Sequence, residues 1–139
     1  MVPTLFRYFM AASLMRGDFD RHLKTLKGDE DVTRFMSSKS FIYMCLWYGM
    51  LYVVIEGWRE ADLSDPEVDR LLASPNVDFL RKFRNGMFHF QQDTWLSQKL
   101  HDFIKPQHGT VDWVISLTSK FRRFLLTEMK RISPPPSTP

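Results

Sequence analysis

The sequence predicts an all-α fold, a single bundle of about five or six helices. Three observations carry that expectation. Apolar residues recur every three or four positions through several long segments, the period of a helix and not of a strand. Strand signals are nearly missing: the one Asn-Gly pair, Asn85–Gly86, lies inside a helical pattern instead of between two alternating runs. Helix-opening punctuation, a Ser or Asp followed directly by Pro, occurs in "SDPEVDR" and again in "SPNVDF".

The elements follow in order. From about Pro3 to Lys27, the residues Leu5, Phe9, Ala12, Phe19, Leu23 and Leu26 keep the helical spacing, and Gly28 suits a C-terminal stop. Asp29 or Asp31 can cap a second, long helix that reaches Glu60. Its middle, "FIYMCLWYGMLYVVI" (41–55), holds no charged residue in fifteen positions. A span of the bilayer needs about 20 such residues, so the run predicts the central helix of a bundle, apolar all round because neighbours cover it. Asp65 then caps a short helix opened by Pro66. Ser74 and Pro75 open another, with Asp78 in the favourable first turn and Val77, Leu80, Phe83, Met87 and Phe90 as one apolar stripe. A short helix is expected near Thr94–Ile104, with "KPQHGT" as a break. Thr110 caps the last helix, whose buried face is Val114, Leu117, Phe121, Phe124 and Leu125. The chain therefore divides into a helical domain, 1–132, and a Pro-rich disordered tail, 133–139.

Composition narrows the function classes. With 44% hydrophobic and 25% charged residues in 139, the chain is an ordinary globular domain, large enough to stand without staples. Its single cysteine, Cys45, sits in an apolar run and reads as a small buried hydrophobe, which suits a reducing compartment. No basic region precedes the first apolar residues and no small-residue cleavage site follows them, so a cytoplasmic location without a membrane partner is expected. Zinc, calcium, Walker and dinucleotide patterns are missing, and no metal or cofactor is expected.

Net charge is only +3, yet "RKFR" (81–84) and "KFRR" (120–123) concentrate cations around an aromatic. Such clusters suit phosphate contact with base stacking, or, with the rings turned inward, a solvated helix face; the spacing favours the second. Glu56 and Glu60 share a face at the end of the apolar helix, where Glu56 can pair with the arginines of the helix after Pro75.

The stretch "KFRNGMFHFQ" (82–91) holds the candidate site. Residues four apart share a helical face, which groups Arg81, Asn85 and His89 opposite the apolar stripe. Histidine titrates near neutral pH and can take or give a proton, and arginine offers a planar fork of donors to phosphate oxygens. The same residues also fit a purely structural role, a core histidine donating to main chain and an arginine stem lying over aromatics.

In order and spacing, Arg84, Asn85 and His89 resemble the signature of the HEPN superfamily: an arginine, a polar residue, then a histidine after four to six intervening positions near a helix end. Arg16 and His22 fit the gap too, but Gly17 follows the arginine and the pair lies within the first helix. The resemblance implies a helical bundle acting as a metal-independent endoribonuclease, in which Arg84, His89 and Asn85 are catalytic. It implies RNA as substrate, since DNA lacks the attacking 2′-hydroxyl. It further implies a homodimer with Arg84 and His89 of both copies at a shared cleft. A toxin or defence role, with an antitoxin protein as partner, goes with it. Arg81, Lys82, Arg122 and Arg123 would form the RNA-binding approach. The same superfamily implies the alternative of a non-catalytic RNA- or protein-binding module.

Overall fold

The computed structural model describes residues 1–25, 32–90, 92, 102 and 109–133. Among them the chain forms six helices and no strand: α1 (Val2–Leu23), α2 (Val32–Met36), α3 (Lys39–Glu60), α4 (Pro66–Leu72), α5 (Asn76–Phe88) and α6 (Thr110–Ile132). The all-helical bundle is as expected. The expected helix near Thr94–Ile104, the caps Asp29 and Asp31, Gly28, and the tail beyond Ser133 lie outside the described residues.

α3 is the axis of the bundle. Its buried residues, among them Met44, Tyr48, Leu51, Val54, Ile55 and Trp58, point to several sides at once. α1 packs along it through Leu5, Phe9 and Ala12, and α5 through Leu80 and Phe83, the latter meeting Tyr48 edge-on at 5.8 Å. By length and apolarity alone α3 could cross a membrane, and here 61% of its most apolar stretch is covered by the rest of the protein. Cys45 is buried within it, and loss of solvent pushes its thiol up to about 12. Gly57 has a steric reason: a Cβ there would stand 2.7 Å from Cδ1 of Leu5, so the absent side chain lets α1 approach.

Four expectations are corrected. The long helix from Asp29 or Asp31 to Glu60 is two. Ser38 adopts an extended backbone, its Oγ accepts the Phe41 N–H at 3.3 Å and donates to the Phe35 carbonyl at 2.6 Å, and α3 begins afresh at Lys39. A serine hydroxyl that competes for backbone partners is favoured at such a cap and not mid-helix. α1 ends at Leu23, four residues early, where Thr25 turns both its N–H and its hydroxyl onto the His22 carbonyl. Thr110 does not cap α6. Gly109, at φ +56°, makes that entry in the left-handed region, and Thr110 instead donates its buried hydroxyl to Oδ1 of Asn76 at 3.4 Å. Finally, α5 stops at Phe88, so Phe90 leaves the apolar stripe and is 92% exposed.

The α4 entry is as the sequence predicts. Asp65 Oδ1 accepts the N–H groups of Glu67 and Val68, both at 3.1 Å, and Pro66 takes the first helical position. α6 docks on this end of α4. Arg123 grips both oxygens of Asp65 at 2.7 Å, and Lys120 reaches Glu67 at 2.6 Å. Burial raises the Asp65 carboxyl, but the hydrogen bonds from Arg123 and from the Val68 and Glu67 amides outweigh it and hold it below its ordinary value. For Glu67 the Lys120 hydrogen bond is the leading cause of a lowered value.

Carboxyls lowered in the fold stabilise it in full above the unfolded-chain pKa, near 4. That contribution is lost as pH falls through the folded values. The thermal midpoint should therefore drop more steeply from about pH 5 to pH 3 in the natural protein than in Asp65→Asn, which keeps an N-cap but not the charge. Equal slopes in the two proteins would refute this.

Candidate functional site

Local chemistry brings α5 to the side of α3. Ser74 Oγ accepts the Asn76 N–H at 3.2 Å, Pro75 sets the first turn, and Val77, Leu80 and Phe83 bury one face of the helix. That face fixes where the remaining side chains point. Arg84, next to Phe83, is carried toward the C-terminal half of α3. There its Nη2 lies 2.8 and 2.9 Å from the two oxygens of Glu56, and its guanidinium carbon sits 5.0 Å from the centre of the Tyr52 ring. Tyr52 and Glu56 are four apart on α3, so one helical face offers the cation both an aromatic surface and a carboxylate. The arginine side chain is 24% exposed, against 43% for Glu56, and Arg84 Nε is buried without a hydrogen-bond partner among the described residues. The guanidinium is thus held from one side while part of it still reaches solvent.

The pairing of Glu56 with an arginine of this helix agrees with the sequence reading. The contribution of Tyr52 was missed, because the sequence places it with the core. Its i to i+4 relation to Glu56 was the signal that could have found it.

His89 is not on the helical face it was expected to share with Arg81 and Asn85. Its backbone is extended, at φ −117° and ψ 133°, and its N–H donates to the Asn85 carbonyl at 3.1 Å, which closes the helix. The imidazole belongs to an exposed segment just past that end. Asn85 is half-buried one residue after Arg84. Phe88 ends the helix over Gly49 of α3; a Cβ at that glycine would fall 2.3 Å from the Phe88 ring. The bare backbone at 49 therefore seats the ring that precedes His89. The alternative pair, Arg16 and His22, is engaged separately: the guanidinium of Arg16 lies over Trp47 at 5.4 Å, and His22 faces Tyr43 at 5.2 Å.

The expected basic approach is divided. Asp78 binds Arg81 at 2.6 Å and Lys82 at 2.8 Å on the outer side of α5, and these contacts, Lys82 foremost, hold its carboxyl below the ordinary range. Arg123 is committed to Asp65 and Glu67 on α4, while Arg122 is exposed on α6. The aromatic residues within the two basic clusters, Phe83 and Phe121, are 1% and 0% exposed, so neither ring is open to a ligand. Among the described residues no three His, Cys, Asp or Glu side chains gather as metal ligands would. Beside Glu56 opens a cleft of about 340 Å³ between the start of α1 and the end of α3, lined by Thr4, Tyr8, Val53, Glu56, Gly57 and Glu60 among others. Comparison with protein-family models, curated proteins and solved structures finds no match to this chain.

Proposed function

We propose that the protein is a metal-independent endoribonuclease of the HEPN type, acting as a homodimer in which Arg84 and His89 of two copies share a cleft. The observation that carries this reading is the state of Arg84. Its fork is fixed by Glu56 and Tyr52 in advance of any ligand, five residues before an exposed histidine at the end of the same helix. A preorganised cation costs little reorganisation when charge develops on a phosphate.

The chemistry requires no other group. An imidazole of His89 takes the proton of the ribose 2′-hydroxyl, whose oxygen attacks the adjacent phosphorus. Arg84 donates to the non-bridging oxygens as charge builds on them. The bond from phosphorus to the 5′-oxygen breaks, and that oxygen leaves with a proton from an imidazolium, that of the second copy in the dimer. The products are a 2′,3′-cyclic phosphate and a 5′-hydroxyl, with atoms and charge conserved.

RNA incubated with the purified protein in excess chelator should be cut and carry cyclic-phosphate ends. Intact RNA, or fragments ending in 3′-hydroxyl groups, would overturn the proposal. One observation favours a second reading, a non-catalytic RNA- or protein-binding module: the two-oxygen contact with Glu56 neutralises the same cation that would stabilise the transition state. RNA retained by the protein but left uncut would select it.

A further inference from the structure

Phe88 and Phe90, the residues on either side of His89, are 54% and 92% exposed. A phenylalanine with nearly all of its surface in water gains nothing from the fold and forgoes the stabilisation that burial would supply. The rest of α5 makes the contrast sharp, since Phe83 and Leu80 on the same helix are 1% and 0% exposed. The two exposed rings belong to the end of α5 and the residues just past it. They alternate with His89 and are followed by Gln91, Gln92 and Asp93. The helix that leads to them carries three cations, Arg81, Lys82 and Arg84. The first two are paired with Asp78 and the third with Glu56 of α3, which leaves one positive charge in excess. Exposed aromatic surface beside that excess charge complements a strand of nucleic acid, whose bases stack while its phosphates meet the arginines.

We infer that Phe90, assisted by Phe88, is a base-stacking subsite that holds an unpaired base of single-stranded RNA next to His89. The inference rests on the proposed ribonuclease reading and names what selects its substrate. Adjacent Cα atoms are about 3.8 Å apart, and the extended backbone at His89 turns its side chain away from that of Phe90. A strand that stacks a base on Phe90 must therefore pass around this segment to bring a neighbouring phosphate to the imidazole. Bases inside a duplex already stack on each other and offer no free face, so the subsite selects single strands, loops and ends. The aromatics that the sequence pattern places between basic residues, Phe83 and Phe121, cannot serve in this way because both are core.

The test uses the full chain and a fluorescent single strand of 2′-O-methyl RNA, which cannot be cut by this chemistry, beside a duplex of the same sequence. Phe90→Leu keeps an apolar side chain without a π-face and should lower single-strand affinity roughly 10-fold while changing duplex affinity less than about twofold. Phe90→Trp should restore binding to within about threefold. Because Phe90 packs on almost nothing, both variants should fold as the natural protein does, and circular dichroism checks this. Equal single-strand affinity of Phe90→Leu and the natural protein would overturn the inference. So would equal losses on single strand and duplex, or dissociation of a dimer by Phe90→Leu, which would assign the ring to a protein interface. Failure of the ribonuclease reading is seen separately, as uncut natural RNA in the presence of intact Phe90.

Discussion

Trp58→Ala is expected to destabilise the protein by about 3–5 kcal/mol, the usual cost of emptying a buried tryptophan site. Trp58 is 2% exposed and stands where three elements meet. Its ring lies 5.4 Å from Phe121 and 4.7 Å from Phe124 of α6, and its indole N–H donates to Oδ1 of Asp69 in α4 at 3.4 Å. The same Asp69 carboxylate accepts the Ser64 hydroxyl at 2.7 Å and the Asp65 N–H at 3.1 Å, so the indole also braces the turn before α4. Domains of this size are stable by about 5–15 kcal/mol. The loss is therefore a large share of the total, and α6 is the element it frees. Urea unfolding followed by helical circular dichroism measures it. Trp58→Phe, which retains most of the ring packing and gives up the indole N–H, should lose well under half as much. Near-equal stability of Trp58→Ala and the natural protein would contradict this account of how α6 is attached.

The second large effect concerns the cleavage of RNA proposed above. Removal of a positioned general acid or base typically costs about 10²- to 10⁴-fold in rate, and His89→Ala is expected to fall in that range with the fold intact, because the residue lies on an exposed segment beyond the helix. Arg84→Lys is the informative partner. Lysine keeps the charge and can still pair with Glu56, but it has no planar fork for two phosphate oxygens. Cleavage should fall at least about 10-fold while the thermal midpoint moves by only a few degrees. If Arg84 merely clamps α5 to α3, the lysine variant will cut RNA at the natural rate. Single-turnover cleavage of one RNA by the three proteins, with the thermal midpoint of each, separates these outcomes.

What the sequence made legible follows the range of the interactions involved. The Asp65–Pro66 entry to α4 rests on neighbours two and three residues away, and it forms as predicted. The inward turn of Phe83 and Phe121 follows from helical spacing alone. The end of α5 did not show, because apolar residues at 83, 87 and 90 continue the helical period and no glycine or proline marks residue 88 or 89. The division between α2 and α3 was equally hidden, since a serine pair is tolerated within a helix until the hydroxyl of Ser38 finds Phe41 and Phe35. The clamp on Arg84 joins residues 28 apart in the chain. Charge complementarity suggested Glu56 as a partner, but only the packing of α5 on α3 brings Tyr52 beneath the guanidinium.

The position of Cys45 gives the molecule an internal timekeeper. Its sulfur, the only one in the chain able to form a disulfide, is buried in the first third of α3, where loss of solvent disfavours the reactive thiolate. An alkylating reagent can meet a thiolate there only during the intervals when the axial helix is uncovered. The pace of its modification thus reports how often this part of α3 is uncovered, by local opening or by unfolding of the bundle, read from one atom.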